Sequence, residues 1–304
     1  MSEPAPGAET RCGFIAVIGA PNAGKSTLVN TLVGAKVSIV SRKVQTTRMP
    51  VRGIAVEGAS QLVFIDTPGI FAPRRRLDRA MVDAAWSGAG DADAVVLLID
   101  AAKGLDEEVE RILGRLRKAQ APMVLVLNKI DRVRKEDLLA LAQQLNEQAQ
   151  FKTTFMVSAL TGDGVADLKS YLAGTVQPGP WHYPPDEISD APLRLLAAEI
   201  TREKVLDRLH DELPYEATVE TTSWQEQAKS VRIEQTIFVE RDSQKAIVLG
   251  SGGRMIRQIS MQARQELAQI LEKPVHLFLF VKVRQNWGDD PERYRELGLT
   301  FPRD

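Results

Sequence analysis

Short apolar, β-branched runs recur along the first half of the chain at residues 14–18, 51–56, 61–65, 94–99, 123–127 and 153–157. Between them apolar positions fall into helical spacing from Lys25, Asp78, Asp106, Lys135 and Val165. Runs that are apolar throughout suit strands buried on both faces, so the alternation predicts an α/β fold with a mostly parallel sheet covered by helices on both sides. The pattern stops at Gln177-Pro178-Gly179-Pro180-Trp181-His182-Tyr183-Pro184-Pro185. Prolines at that density forbid a helix and favour an extended connector.

Beyond the connector the order changes. A helix over 192–209 precedes alternating strands near 215–222 and 230–240. A short helical piece, a long helix near 254–271 and a strand over 275–284 follow, giving α-β-β-α-α-β. The expected organisation is a flexible N-terminus over 1–11, an α/β domain over 12–176, a linker over 177–190 and an α+β domain with a tail over 191–304. In the last strand Val275, Leu277, Leu279, Val281 and Val283 share one face, and His276, Phe278, Phe280, Lys282 and Arg284 the other. Phe278 and Phe280 could stack on bases, but strand spacing favours their covering the helices.

Composition adds limits. At 304 residues, 44% apolar and 26% charged, the chain can build two cores. It has no run of about 18 apolar residues, and its start lacks a basic region followed by an apolar one. With a single cysteine, Cys12, an internal disulfide and a cysteine metal cage are excluded, and an intracellular, cytoplasmic protein is expected. Cys12 reads as a small apolar residue entering the first strand. Residues 1–185 carry 22 Lys+Arg against 19 Asp+Glu, and 186–304 carry 17 against 21. Any basic face is therefore local: Arg254, Arg257, Arg264, Lys273, Lys282 and Arg284 face only Glu266 and Glu272 in their stretch.

The chemistry is concentrated at strand ends. After the first run comes Gly19-Ala20-Pro21-Asn22-Ala23-Gly24-Lys25-Ser26-Thr27, a phosphate-binding loop opening a helix. Its glycines let backbone N–H groups crowd around phosphate oxygens, Lys25 can reach the β- and γ-phosphates, and Ser26 can place its hydroxyl on Mg²⁺. Asp66-Thr67-Pro68-Gly69 closes the third strand: the carboxylate can reach Mg²⁺ through water and the Gly69 N–H can meet the γ-phosphate. Asn128-Lys129-Ile130-Asp131 ends the fifth strand, where Asp131 can accept two hydrogen bonds from guanine, a donor pair adenine lacks. Ser158-Ala159-Leu160 ends the sixth and offers a backbone N–H to the base carbonyl. Each short motif alone is weak; the ordered set selects GTP and GDP.

The loop Ser41–Arg48 can fold over the γ-phosphate and complete the Mg²⁺ shell with a threonine hydroxyl, Thr47 in preference to Thr46. Magnesium is thus assigned to Ser26, Thr47 and Asp66, and hydrolysis to Lys25, Thr47, Asp66 and Gly69. Position 70 is Ile70, where many small GTPases carry a glutamine that orients water. Slow intrinsic hydrolysis follows, with water positioned by backbone, a partner or a monovalent cation; Asn22 could help hold K⁺ there. Arg74-Arg75-Arg76 reads as a solvated charge run in preference to a partner contact.

In the second domain Gly250-Ser251-Gly252-Gly253, followed by Arg254, places a Gly-x-x-Gly loop between two helices. Such a loop lets a nucleic-acid backbone approach helix N-termini. Within the α-β-β-α-α-β order it resembles a type II KH domain, and Arg257, Lys282 and Arg284 join the RNA-binding candidates. The GTPase motifs, this module and Val281-Lys282-Val283-Arg284, Trp287, Asp289-Asp290-Pro291 and Leu297-Gly298 together resemble the Era family of bacterial GTPases, from about residue 12 to 299. That resemblance implies binding of the 3′ end of 16S ribosomal RNA, assistance to 30S subunit assembly and peripheral association with the inner membrane. Relatives often carry lysine where this chain has Gly252. No oligomer signal is present, so a monomer is expected. A rival is a membrane-linked regulator of division whose C-terminal module docks protein or lipid. The acidic total charge of that module permits it; the glycine loop and the Arg/Lys cluster oppose it.

Overall fold

The computed structural model describes residues 9–117, 121–210 and 213–302. Among these, one compact unit takes the chain up to Ser38, Thr47–Asp190 and Leu297 onward; the other takes Ile39–Thr46 and Ala191–Glu296.

The first unit is built on a six-stranded sheet of β1 (Arg11–Ile18), β2 (Val51–Glu57), β3 (Ser60–Asp66), β4 (Ala94–Asp100), β5 (Met123–Asn128) and β6 (Thr153–Val157), in the order β2-β3-β1-β4-β5-β6. β2 pairs antiparallel with β3, and the other pairings are parallel. Ile15 and Val17 of β1 pack with Leu28 and Val29 of α1 (Lys25–Val33) and Leu168 and Leu172 of α5 (Val165–Thr175). Ala16 and Ile18 face the other way, onto α2 (Arg76–Gly90), α3 (Glu107–Leu116) and α4 (Lys135–Gln148), through Ala85, Leu113 and Leu145 among others. With both faces covered, no position in such a strand is left for a polar residue, which is why the runs read as unbroken. Parallel crossovers bring the loops after β1, β3, β5 and β6 to one sheet edge, the place where α/β folds bind ligands.

The proline-rich stretch is extended as expected, but it is fastened along the first unit. Gly179 N donates to Thr10 O (2.9 Å) and the Trp181 indole to Ala59 O (3.0 Å). Gln61 holds His182 N, Tyr183 N and Tyr183 O with its buried amide, Ile54 N donates to Ile188 O, and Arg52 pairs with Asp190 at 2.8 Å. Cys12 lies half-buried in β1, its thiol 3.6 Å from Gln61 Oε1.

The second unit contains α6 (Leu193–Arg208), β7 (Thr218–Glu226), β8 (Val231–Val239), α7 (Asp242–Leu249), α8 (Arg254–Ile270), β9 (Val275–Val283) and a short α9 (Pro291–Glu296). Its sheet order is β7-β8-β9, with β7 antiparallel and β9 parallel to β8. The first strand starts later than expected because Leu213–Glu216 forms a 3₁₀ turn, where Pro214 has no N–H for a ladder. Ile237, Val248, Ile259 and Val281 form one part of the core; Ile200, Leu206, Ile233, Leu267 and Val275 form another. The excursion Ile39–Thr46 belongs to this unit: Ile39 is buried with Ala197 and Ile200, Val40 N donates to Glu203 at 2.8 Å, and Arg202 donates to Thr46 O.

One sequence expectation fails here. Phe278 and Phe280 do not cover the helices; Val275, Leu277 and Val281 do, and the two rings are 41% and 48% exposed on the opposite face. Both faces of this strand carry apolar residues, so alternation alone could not say which was buried.

Candidate functional site: a phosphate and guanine cradle, and a glycine loop

The loop Gly19–Gly24 approaches its neighbours too closely for side chains at two places. A Cβ on Gly19 would lie 2.3 Å from Leu98 O, and one on Gly24, whose φ is +101°, 2.3 Å from Asn128 Nδ2. The cradle shaped by Ala20, Pro21, Asn22 and Ala23 between them is therefore backbone-lined, which suits a polyphosphate. Lys25 opens α1 with its ammonium buried, donating to Gly19 O (3.2 Å) and Ala20 O (3.0 Å). Burial pulls its pKa down to about 8, partly opposed by the charge of Asp66. Thr27 lies half-buried two residues into the helix.

That pKa yields a prediction. Phosphate oxygens around the ammonium would favour its charged form, so nucleotide binding should take up protons above about pH 8. Affinity is expected to hold steady below that pH and to fall above it, by at most about tenfold per pH unit. Calorimetry in two buffers of different ionisation enthalpy, at about pH 8.5, checks this; absence of proton uptake there would refute it.

Asp66, at the end of β3, gathers hydroxyls. Its Oδ2 accepts from Ser38 Oγ (2.6 Å) and Ser26 Oγ (2.7 Å) and lies 3.4 Å from Thr47 Oγ1, and the Ser26 and Thr47 hydroxyls are 2.9 Å apart. Burial raises the carboxyl pKa, while these hydroxyls and Lys25 lower it. Its Oδ1 is buried without a hydrogen-bond partner. An all-oxygen cluster with one unmatched carboxylate oxygen fits a hard divalent ion such as Mg²⁺. Of the two candidate threonines, Thr47 enters this cluster, and Thr46 turns its hydroxyl to Lys43 O at 2.8 Å. Ser38 was missed; the available signal was a lone hydroxyl within the apolar stretch Val37–Val40.

The next turn docks on the phosphate loop. Thr67 Oγ1 donates to Val17 O (2.8 Å), a Cβ on Gly69 would come within 3.0 Å of Pro21 Cα, and Ile70 N donates to Gly19 O at 3.1 Å. Pro68 lies between them and is buried. The Ile70 side chain is buried beside Ala16 and Ile18, so the position a glutamine would use for water offers only apolar surface packed inward.

At the base end, Asp131 Oδ1 accepts from Ser158 Oγ at 2.7 Å. Asn128, which opens the same tetrapeptide, is engaged within the fold. Its amide donates to Ala23 O (2.8 Å) and its carbonyl accepts from Ala159 N (2.9 Å), stitching the phosphate loop to the Ser158–Leu160 loop. Lys129, at φ +66°, donates to Asn22 O (2.7 Å) and pairs with Asp100 at 2.6 Å. Asp100 went unnoticed, although it closes β4 in register with Asn128. Ile130 packs on the helix-covered core, and Leu160 is exposed.

In the second unit the glycine loop joins α7 to α8. Gly250 (φ +70°) leaves no room for a side chain, since its Cβ would meet Met255 N at 2.9 Å; Gly252 and Gly253 have positive φ and open space. Ser251, Arg254 and Arg257 are exposed around the start of α8, and Lys282 is exposed on β9. Arg284 is half-buried and paired with Asp290.

A phosphate cradle, an oxygen cluster for a divalent ion, a carboxylate at the base end and a separate α-β-β-α-α-β module define a P-loop GTPase carrying a KH domain. Residues 14–129 match the family described as 50S ribosome-binding GTPase, and 212–288 match the KH domain. The chain is 65% identical over 300 residues to GTPase Era of Bradyrhizobium sp. (strain BTAi1), covering 98% of this chain and 97% of that protein. It is 66% identical over 296 residues to GTPase Era of Afipia carboxidovorans, covering 97% and 96%. Two solved structures superpose with a TM-score of 0.90 at 36% identity, covering 95% of this chain and 99% of each of theirs. They are Era in complex with MgGDPNP and nucleotides 1506–1542 of 16S ribosomal RNA, and a single-residue variant of Aquifex aeolicus Era bound to GDP·AlF4⁻. The chain belongs to the Era family of GTPases. Among the described residues no helix is long and apolar enough to cross a membrane.

Proposed function

We propose that this GTPase binds the 3′ end of 16S ribosomal RNA through its KH domain, assists maturation of the 30S subunit, and changes its hold on RNA with the nucleotide it carries. The observation that carries the reading is the Gly250–Gly253 loop, with three positive-φ glycines opening α8 beside exposed Arg254 and Arg257. Such backbone lets phosphates reach a helix N-terminus and leaves bases free to be read. The solved relative holding a 16S fragment supports the same choice of RNA.

In the GTPase cycle Lys25 and the loop N–H groups would hold the phosphates, and Ser26, Thr47 and Asp66 would hold Mg²⁺. When bound, the ion neutralises charge on the β- and γ-phosphate oxygens. Asp131, aligned by Ser158, would select guanine, and Gly69 N–H would meet the γ-phosphate. Ile70 cannot orient water, so hydrolysis by this chain alone should be slow. With Asn22 at φ +61° in the phosphate loop, K⁺ beside the phosphates would supply positive charge where it develops. Turnover is therefore expected to fall when Na⁺ replaces K⁺ in a phosphate-release assay, and an equal rate in both would remove K⁺ from the mechanism.

The RNA reading is tested with a labelled RNA matching the 3′ end of 16S ribosomal RNA, titrated with GDP and with a non-hydrolysable GTP analogue over a salt series. Tight binding favoured by one nucleotide and lost in Gly253→Asp supports it. Equal, weak, wholly salt-sensitive binding in both states would overturn it. Gly252→Lys provides a finer measure. The site is open, so the added ammonium should tighten RNA binding and steepen the salt dependence by about 0.7 in log–log slope, against a backbone cost of about 1 kcal/mol for a side chain at positive φ.

A further inference from the structure

The open face of the KH sheet carries groups that neither the GTPase site nor the glycine loop uses. Phe278 and Phe280 stand on it two residues apart, about 6.6 Å along the strand, between exposed His276 and Lys282. On the adjoining strand Arg232 lies opposite His276 and places its guanidinium 4.2 Å from the Phe278 ring centroid, while pairing with Glu234 at 2.7 Å. Thr236, opposite Phe280, is too short to shield it. Further along, Arg293 of α9 lies over Phe238 and pairs with Glu220 of β7, and Thr236 between them is buried; Phe280 stays 48% exposed beside this cover. Lys282 has no ion-pair partner among the described residues.

We propose that this face is a stacking platform for unpaired RNA, continuing the path of a strand gripped at Gly250–Gly253. The inference rests on the RNA-binding reading above. Three features select nucleic acid as the occupant. The rings are flat, exposed and spaced along one strand, and every base has a π-face to stack on a ring irrespective of sequence. The rings alternate with His276 and Lys282, so phosphates passing between bases would meet cationic or donor groups. The glycine loop lies on the helix side of the same sheet, since α7 and α8 pack on the opposite face of β9; because β9 is the free edge, a strand leaving the loop can reach the rings by passing around that one strand. A KH loop clamps about four nucleotides, so a longer strand needs somewhere to go.

The test uses the full-length protein and two RNA probes from the 16S 3′ end, about 5 and about 14 nucleotides long. Phe278→Leu/Phe280→Leu keeps exposed apolar side chains and removes the rings, so folding is not at stake. It should weaken the long probe by roughly tenfold per ring and leave the short probe unchanged. Phe280→Trp should retain affinity and show indole quenching with the long probe alone. Lys282→Ala should lower the salt slope for the long probe by about 0.7. Equal affinity of wild type and the double leucine variant for the long probe would overturn the proposal. So would unchanged RNA binding accompanied by loss of self-association, which would make the face a protein contact. Gly253→Asp separates the two readings: if wild type and this variant bind both probes equally weakly, the RNA-binding reading fails, and the platform with it.

Discussion

Asp131→Asn is expected to weaken GTP binding by a hundredfold or more and to convert the protein toward xanthine nucleotides. The carboxylate has its Oδ1 on the Ser158 hydroxyl at 2.7 Å, an alignment that leaves acceptor capacity for the paired donors of guanine. Hydrogen bonds to a charged acceptor are worth about 1.5–3 kcal/mol each; the asparagine loses one outright, weakens the other by removing the charge and sets its NH2 against a guanine N–H, together roughly two orders of magnitude or more. An amide in the same place has one acceptor and one donor, which matches a ring N–H beside a carbonyl as xanthine presents them. Because the asparagine carbonyl can accept the same Ser158 bond, the fold should survive. Competition titrations with GTP and xanthosine triphosphate check this, and unchanged GTP affinity would sink the guanine assignment.

Gly24→Val is expected to abolish nucleotide binding and to lower stability. At φ +101° a β-branched residue is strained by about 1–3 kcal/mol, but the larger effect comes from what stands in the way. The new Cβ would collide with Asn128 Nδ2 at 2.3 Å. That amide is buried and cannot swing aside without giving up Ala23 O and releasing Ala159 N. Phosphate and base loops would be disturbed together. Fluorescent GDP titration should show no saturable binding, and the thermal midpoint should drop by several degrees. Retained binding with a lowered midpoint would show that Asn128 can relocate and that the stitch is dispensable.

What could be read from the sequence, and what could not, follows from the kind of information each residue carries. Doubly buried strands such as Ile15–Ile18 declare themselves because burial forbids polar residues at every position. The cradle declares itself because glycine, lysine and serine are needed at fixed spacing along one strand–loop–helix. Ser38 and Asp100 escaped because their partners, Asp66 and Lys129, are about 30 positions away, and neither falls in a fixed-spacing motif. Thr46 and Thr47 could not be separated by sequence, since neighbouring hydroxyls differ only in the direction the backbone points them. Asn128 shows that a residue of a recognition tetrapeptide also braces the fold, tying the phosphate loop to the loop after β6.

The fastening of residues 177–190 changes what kind of connection the two halves have. A free tether of that length would let its ends wander over about 20 Å, and the local concentration of bound RNA near the nucleotide site would then follow random-coil statistics. Here the chain is tied from Gln177 to Asp190, so the connector adds almost no slack of its own before Ala191. Residues 177–190 are thus part of the first unit's own structure, and the division between the units falls at Ala191. A Gly/Ser insertion after Asp190 would lengthen the chain at that division while leaving every one of these fastenings in place.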